Sequence, residues 1–352
     1  MKAIISTLPE ALPFGAQLEH LVSGSHLSPH PPRPRGTMRS ASLSLLGLLV
    51  LAPPLRASPP LVHTAPARVT ILYDAFGTAP GLTQDWGFAA LIEYDGRRIL
   101  FDTGNNAAIF EKNVRALHID LRRLDFAVIS HRHGDHVAGL SYLLRVNPRV
   151  KIYAPRENFG VFGSSLPGSF FRADPSLPRA MRYFDGAPAA QLRFGAAWPE
   201  AHFTLVDTLT EVAPGVTIVS TVSHTPGTLE LRELSLVIRT PTGALLVVGC
   251  SHPGIEAILQ ATAVVTPEVA LIVGGLHWVT AADSTIARLT TALHDSWHVR
   301  QIGPGHCTGE PGFAALQKQF GVAYLYAGLG TVLQRAAGDS ANWESRPAPA
   351  PD

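Results

Sequence analysis

From Arg68 onward the chain switches between short β-branched runs and stretches with apolar residues three and four apart. "RVTILYD", "FAALIEY" and "RRILFD" are read as strands, and Asp95-Gly96 between the last two is a hairpin signal. In "NAAIFEKNVRALH", Ile109, Phe110, Val114 and Leu117 share one helical face. "LDFAVIS" reads as a buried strand, and "VAGLSYLLRV" as a helix that Pro148 closes. The strands "GVTIVST", "LSLVIRT" and "ALLVVGC" precede a helix from Gly254 to Thr262. Strand "EVALIVGG", a helix from Ser284 to His294, strand "VRQIG" and a helix from Phe313 to Phe320 complete the pattern. Two stretches break it. Residues 155 to 203 are rich in Pro, Gly and aromatics, as a functional loop would be. Residues 336 to 352, rich in Ala and Pro, are expected to be a disordered tail.

Upstream of this body, "MRSASLSLLGLLVLAPPLRASPP" begins at Met38 with one arginine, an apolar run from Leu43 to Leu51, then prolines and small residues. That is the layout of a secretory signal peptide over residues 38 to 57, and the run falls short of the roughly 20 residues a membrane span needs. Residues 1 to 37 are then expected to be an upstream extension of a gene whose true start is Met38. The expected location is periplasmic or secreted, with no stable membrane anchor after cleavage. Residues 58 to 352 carry 23 basic against 25 acidic side chains, a net charge of −2, and no basic run. A nucleic-acid partner is therefore not expected. With 46% hydrophobic residues, the body can bury a sizeable core. Two cysteines, Cys250 and Cys307, make no disulfide framework, although a single bridge between them is open.

"VISHRHGDHVAGL" places His131, His133, Asp135 and His136 within six positions after a strand. His131 and His133, two apart in extended backbone, project to the same side. Gly134 is expected to permit a sharp turn that brings in Asp135 and His136. Imidazoles with one carboxylate suit zinc, or iron or manganese, and four ligands this close imply two ions. Other strand ends add Cys250 and His252 in "VVGCSHPG", His277 in "VGGLHW", and His306 and Cys307 in "GPGHCTG". The carboxyl ends of strands are where α/β sheets collect ligands.

"HRHGDH" matches the H-x-H-x-D-H motif of the metallo-β-lactamase superfamily, which residues 68 to 335 resemble. "GLTQDWGFAALIE", "ILFDTG", "GCSHPGI", "GGLHW" and "GHCTG" resemble its 7,8-dihydropterin-6-yl-methyl-4-(β-D-ribofuranosyl)aminobenzene 5′-phosphate synthase branch. The resemblance implies an α/β fold, an αββα sandwich of two mixed sheets flanked by helices, with a metal site at one edge. It places His131 and His133 on one metal and Asp135 and His136 on a second, with Asp102 orienting ligands. Where the superfamily has a bridging aspartate in a "GD" pair, this chain has "GCSH", which puts Cys250 in that position and offers His252 as a ligand. His224 in "SHTPG" is a rival to His252. His306 competes with His277 for the last ligand position, and the loser is left as an acid/base residue.

The metal set is thus His131, His133, Asp135, His136, His252 and His306, holding two divalent ions, expected to be zinc. Asp135 and His277 are the candidate catalytic residues, handling the leaving-group proton while a metal activates water. The expected function is an exported metal-dependent hydrolase acting on a small-molecule ester, lactone or phosphoester. A dihydropterin-type synthase or transferase of the same fold, or a metal-binding module without catalysis, are the alternatives.

Overall fold

The first three apolar runs form β1 (Arg68–Tyr73), β2 (Ala89–Tyr94) and β3 (Arg97–Phe101), paired antiparallel. Asp95 and Gly96 turn the second hairpin with φ of 50° and 74°, the two left-handed positions that a two-residue I′ turn requires. Helix α1 (Ala107–Ala116) follows, with the Asn106 side chain accepting the amides of Ala108 and Ile109 as its N-cap. Next come β4 (Phe126–Val128), the short α2 (Gly134–Val137), α3 (Leu140–Val146) and β5 (Lys151–Pro155). A small hairpin, β6 (Ser165–Pro167) with β7 (Gln191–Arg193), leads to β8 (His202–Val206) and β9 (Thr210–Ala213). The second half runs β10 (Val216–Ser223), β11 (Leu231–Thr240), β12 (Gly243–Val248), α4 (Ile255–Thr262) and β13 (Val269–Gly275). It closes with α5 (Asp283–Thr291), β14 (Gln301–Gly305), α6 (Glu310–Phe320), β15 (Thr331–Ala336) and β16 (Asp339–Pro347). In this computed structural model the described residues are 67–348, apart from 158–160, 163–164, 170–174, 177, 180–181, 194–195, 226–229 and 337–338.

Two mixed sheets result. One has eight strands in the order β16-β15-β1-β2-β3-β4-β5-β8, and the other six in the order β14-β13-β12-β11-β10-β9. Their facing sides share one core: Val69, Ile71, Ile92, Ile99 and Phe101 from the first sheet meet Ile218, Leu234, Leu236, Leu245, Val247 and Val273 from the second. The intervening positions are just as apolar. Leu91, Leu100 and Ile152 pack outward with Phe110 and Val114 of α1 and Leu140 and Leu143 of α3. Ala244, Leu246, Val248 and Ile272 pack outward with α4, α5 and α6 through Ile258, Ile286 and Leu316. Helices therefore cover both outer faces, which is why these strands read as unbroken apolar runs rather than alternating ones. The αββα sandwich expected from the sequence is the architecture observed.

Three expectations change. The tail from 336 to 352 is not disordered throughout. Asp339–Pro347 form β16, antiparallel to β15, and Trp343 is only 3% exposed. The Trp343 N–H donates to the Gln301 side chain at 2.7 Å, and its carbonyl accepts from that side chain at 3.0 Å. Ala and Pro content had masked one anchoring tryptophan. Gly134 is not a strained turn: its φ is not positive and a Cβ there would meet open space, because His133 in extended backbone simply starts α2. Residues 155 to 203 are not wholly irregular, since they include the β6–β7 hairpin. The proposed extension at 1 to 37 and signal at 38 to 57 lie outside the described residues, as do Phe159, Phe170 and Phe171 of the aromatic loop. Among the described residues, no helix is long and apolar enough to cross a membrane.

Candidate metal centre

The segments leaving the carboxyl ends of β3, β4, β12, β13 and β14 meet at one edge of the sandwich. Four of them turn through non-glycine residues in the left-handed region: Asp102 (φ 58°), Ser251 (63°), His277 (53°) and His306 (48°). Such conformations cost energy and concentrate at functional sites, where the surrounding structure enforces them. Two glycines let the strand ends approach. A Cβ on Gly249 would lie 2.3 Å from Ser130 Oγ, and one on Gly275 would lie 2.6 Å from the Gly249 carbonyl oxygen and 2.7 Å from Cys307 Sγ.

The ligand-type side chains then fall into overlapping groups, two of which use no cysteine. His131, His133 and His252 converge with donor atoms mutually within 4.8 Å, and Asp135, His136 and His306 do the same. Cys250 lies between the sets, within that distance of both His131 and His136, and its Sγ is 3.1 Å from His136 Nε2. His131 Nε2 and His133 Nδ1 are 3.1 Å apart, and His136 Nε2 and His306 Nε2 are 3.2 Å apart. Two imidazole nitrogens on one tetrahedral zinc, each about 2.05 Å from it, stand about 3.3 Å apart. His252 Nε2 is buried with no hydrogen-bond partner among the described residues, a costly state for a polar atom unless something else satisfies it. Donor type, spacing and this orphaned nitrogen fit a pair of divalent cations.

Buried carboxylates hold the ligands in place. Asp102 accepts the Ser130 N–H and Ser130 hydroxyl, each at 2.7 Å, and lies 2.6 Å from His136 Nδ1. With its proton given to Asp102, Ser130 Oγ is left to accept from His131 Nδ1 at 2.8 Å. This chain places a proton on Nδ1 of both His131 and His136 and leaves each Nε2 lone pair facing the site. Glu233, on β11, accepts the amides of Cys250 (2.8 Å), Ser251 (2.7 Å) and His252 (2.8 Å). Asp74, at the end of β1, accepts the His306 N–H at 2.9 Å.

The metal-free electrostatics follow from burial and these partners. Burial, with neighbouring imidazoles, drives the His252 imidazole down to about 3 and His131 well below its usual value. Burial also opposes charge on His136, but the carboxylates of Asp102 and Asp135 outweigh it and lift His136 to about 9. Burial pushes Asp135 upward, yet the His306 hydrogen bond and the nearby His136 prevail and leave it below the usual carboxylate range. Glu233 is pushed up to about 7 by burial, with its three amide donors working the other way. Burial keeps the Cys250 thiol protonated.

All six sequence-expected metal residues are thus brought together. His306 completes the set with Asp135 and His136, while His277 lies exposed, its ring 4.1 Å from that of His252 and its donor atom within 4.8 Å of those of Cys250 and His252. His224 is exposed at the end of β10 and belongs to neither set. Cys250 and Cys307 are free thiols. Sequence reasoning missed Glu233 and Asp74. Each had a visible signal: Glu233 interrupts the apolar "LRELSLVIRT", and Asp74 ends "ILYD" as Asp102 ends "ILFD".

Known proteins resemble this chain in sequence and fold. Residues 83–257 match the metallo-beta-lactamase superfamily. The 7,8-dihydropterin-6-methyl-4-(beta-D-ribofuranosyl)-aminobenzene-5'-phosphate synthase of Methanocaldococcus jannaschii is 27% identical over 263 residues, covering 68% of this chain and 86% of its own. An uncharacterized protein of the same organism is 26% identical, over 66% of this chain and 86% of its own. The crystal structure of a metal-dependent hydrolase of the β-lactamase superfamily superposes with a TM-score of 0.56 at 25% identity, spanning 78% of this chain and all (100%) of that one. The two mixed sheets, the His/Asp site at their edge and these likenesses place the chain in the metallo-β-lactamase superfamily, with the fold of its metal-dependent hydrolases.

Proposed function

We propose that this protein is a hydrolase of small-molecule esters, lactones or phosphoesters that works with two divalent cations, zinc by preference. The observation that carries this reading is the division of six donors into two sets of three with the Cys250 sulfur between them. His131, His133 and His252 would hold one ion, and Asp135, His136 and His306 the other. Imidazole with thiolate favours zinc over harder cations. Bound there, such ions would supply Lewis acidity and lower the pKa of water near neutral pH.

The chain's own residues do the rest. Asp102 and Ser130 fix the imidazole tautomers, Glu233 sets the Cys250–His252 turn, and Asp74 sets the His306 backbone. Asp135 faces His306 and His136, with its Oδ2 3.3 Å from His306 Nε2, so its carboxylate serves as a ligand. The leaving-group proton falls to His277, which is exposed at the site and raised by its hydrogen bond to Cys307. Export remains part of the proposal on the strength of the Leu43–Leu51 run, and N-terminal sequencing from the host tests it, with Ser58 the expected first residue.

The deciding experiment measures metal content and turnover of esters, lactones and phosphodiesters by the purified protein. Up to two ions per chain with hydrolysis that chelation abolishes supports the reading. A metal-free, fully folded protein isolated from metal-replete medium overturns it. The likeness to the Methanocaldococcus synthase favours a second reading, a dihydropterin-type transferase. Transfer without any hydrolysis across the same panel would select it.

A further inference from the structure

Trp86 is 44% exposed although it stands at the metal centre, with its ring centroid 5.1 Å from that of His306 and the planes inclined by 54°. His306 beneath it is only 3% exposed. The loop that carries Trp86 is tied down on both sides. Asp85 accepts hydrogen bonds from the Tyr73 hydroxyl and from Asn105, and its own N–H donates to the Asp74 carbonyl at 3.3 Å. The Phe88 N–H donates to the Asp135 carbonyl at 3.2 Å, and a Cβ on Gly87 would come within 2.6 Å of that same oxygen. The indole is thus fixed relative to Asp135 and His306, as a recognition surface has to be.

A second exposed apolar side chain borders the same segment. Val279 is 43% exposed, and its N–H donates to the Cys307 carbonyl at 3.1 Å. Arg132, the cation placed between His131 and His133 in sequence, is held by Glu157 at 2.5 Å with its side chain 14% exposed. Among the described residues, Trp86 and Val279 thus offer apolar surface beside the centre, and Arg132 is already engaged by a carboxylate.

We propose that Trp86 is a specificity-determining residue whose exposed face takes a planar aromatic group, carried on the acyl or leaving side of the bond that is hydrolysed. The proposal rests on the hydrolase reading above. A substrate whose reacting atom lies among Asp135, His136 and His306 sits next to the indole, because the Trp86 ring stands 5.1 Å from that of His306. Aromatic rings gain from offset or edge contacts beyond the area they bury, so an aryl group profits more than a methyl there.

Binding of two metal-chelating probes tests this without turnover. Benzohydroxamate and acetohydroxamate present the same chelating head and differ in the attached group. Calorimetry on the zinc-loaded protein should find benzohydroxamate roughly tenfold tighter. Trp86→Ala should remove most of that preference, and Trp86→Phe should keep most of it. An unchanged preference in Trp86→Ala, or no preference in the parent protein, overturns the proposal. Equal loss of both affinities in Trp86→Ala would make the indole a roof over His306 and nothing more, which also overturns it. If neither probe binds while zinc is retained, the hydrolase reading itself falls and takes this one with it. If both bind and only the preference is missing, the hydrolase reading stands alone.

Discussion

Glu233 and His252 are joined through the backbone: the carboxylate Oε2 accepts the His252 N–H at 2.8 Å, while Oε1 takes the amides of Cys250 and Ser251. A single fully buried carboxylate thus organises three consecutive donors and forces Ser251 into the left-handed region, so that Cys250 and His252 both reach the centre. The superfamily places a bridging acid at this strand end, and here a carboxylate stands one layer behind it.

Glu233→Gln should therefore weaken the first metal set more than the second. The amide keeps one acceptor oxygen but turns an NH2 toward a backbone N–H, and a charge-assisted bond is worth about 1.5–3 kcal/mol. The expected outcome is a lowered unfolding midpoint and loss of one ion per chain while the other persists. Unchanged metal content and midpoint would remove Glu233 from the site's architecture.

Much of this site was legible in the chain because strand ends and ligand types are local properties. "HRHGDH" and "GCSH" announce themselves by spacing. The choice of His306 over His277 was not legible, since both follow a strand and a glycine. Only the way α2 approaches β14 puts Asp135 and His136 beside His306. The supporting acids were hidden for a related reason. Glu233 is 17 positions from Cys250 and Asp74 is 232 positions from His306, so their role exists only after the sheets have packed. In the fold, most long apolar strands declared themselves, whereas β5, β8, β9, β15 and β16 did not. β8 and β9 alternate exposed and half-buried positions, and β16 is held chiefly by Trp343.

Cys250 offers a chemical test of the missing bridging acid. Its sulfur lies 3.1 Å from His136 Nε2 and only 3% of the residue is exposed, so burial alone shields it from alkylation and metal content is the better measure. A thiolate or a carboxylate can ligate two cations, whereas a serine hydroxyl is a poor ligand. Cys250→Asp should hold more metal than Cys250→Ser. If Cys250 merely fills space, the order reverses, because aspartate would then bury an unpaired charge. Metal analysis and unfolding of both variants separate the two outcomes.

Trp343→Ala tests the tail strand. The indole is 3% exposed, lies beneath the Arg335 guanidinium at 4.9 Å, and sits on a backbone bonded twice to Gln301. Removing a buried tryptophan costs about 3–5 kcal/mol, which should appear in equilibrium denaturation of the metal-free protein. A midpoint within error of the parent would mean β16 contributes nothing to stability.

Two histidines give the metal-free protein opposing pH dependences. His252 is held down to about 3 from an ordinary value of 6.5, so between those values the unfolded chain binds the extra proton. Stability should then fall as pH drops from 6.5 toward 3. His136 is lifted from 6.5 to about 9, so in that window the folded state holds the extra proton. Its contribution is fully present below 6.5 and is lost as pH rises through 9. Taken alone these two groups favour a maximum near pH 6.5, while Glu233, lifted to about 7, and Asp74, lifted well above its usual value, favour lower pH and offset part of the acid limb. His131, also driven down by burial, and Asp135, held below its usual range, add to the acid limb. Denaturant titrations of chelated protein across pH 4 to 10, read as differences from the parent, should show His252→Gln reducing the loss of stability toward acid and His136→Gln reducing the loss toward alkali. A profile in which His136→Gln leaves the alkaline limb untouched would mean that Asp102 does not stabilise an imidazolium there, and the tautomer chain through Ser130 would have to be redrawn.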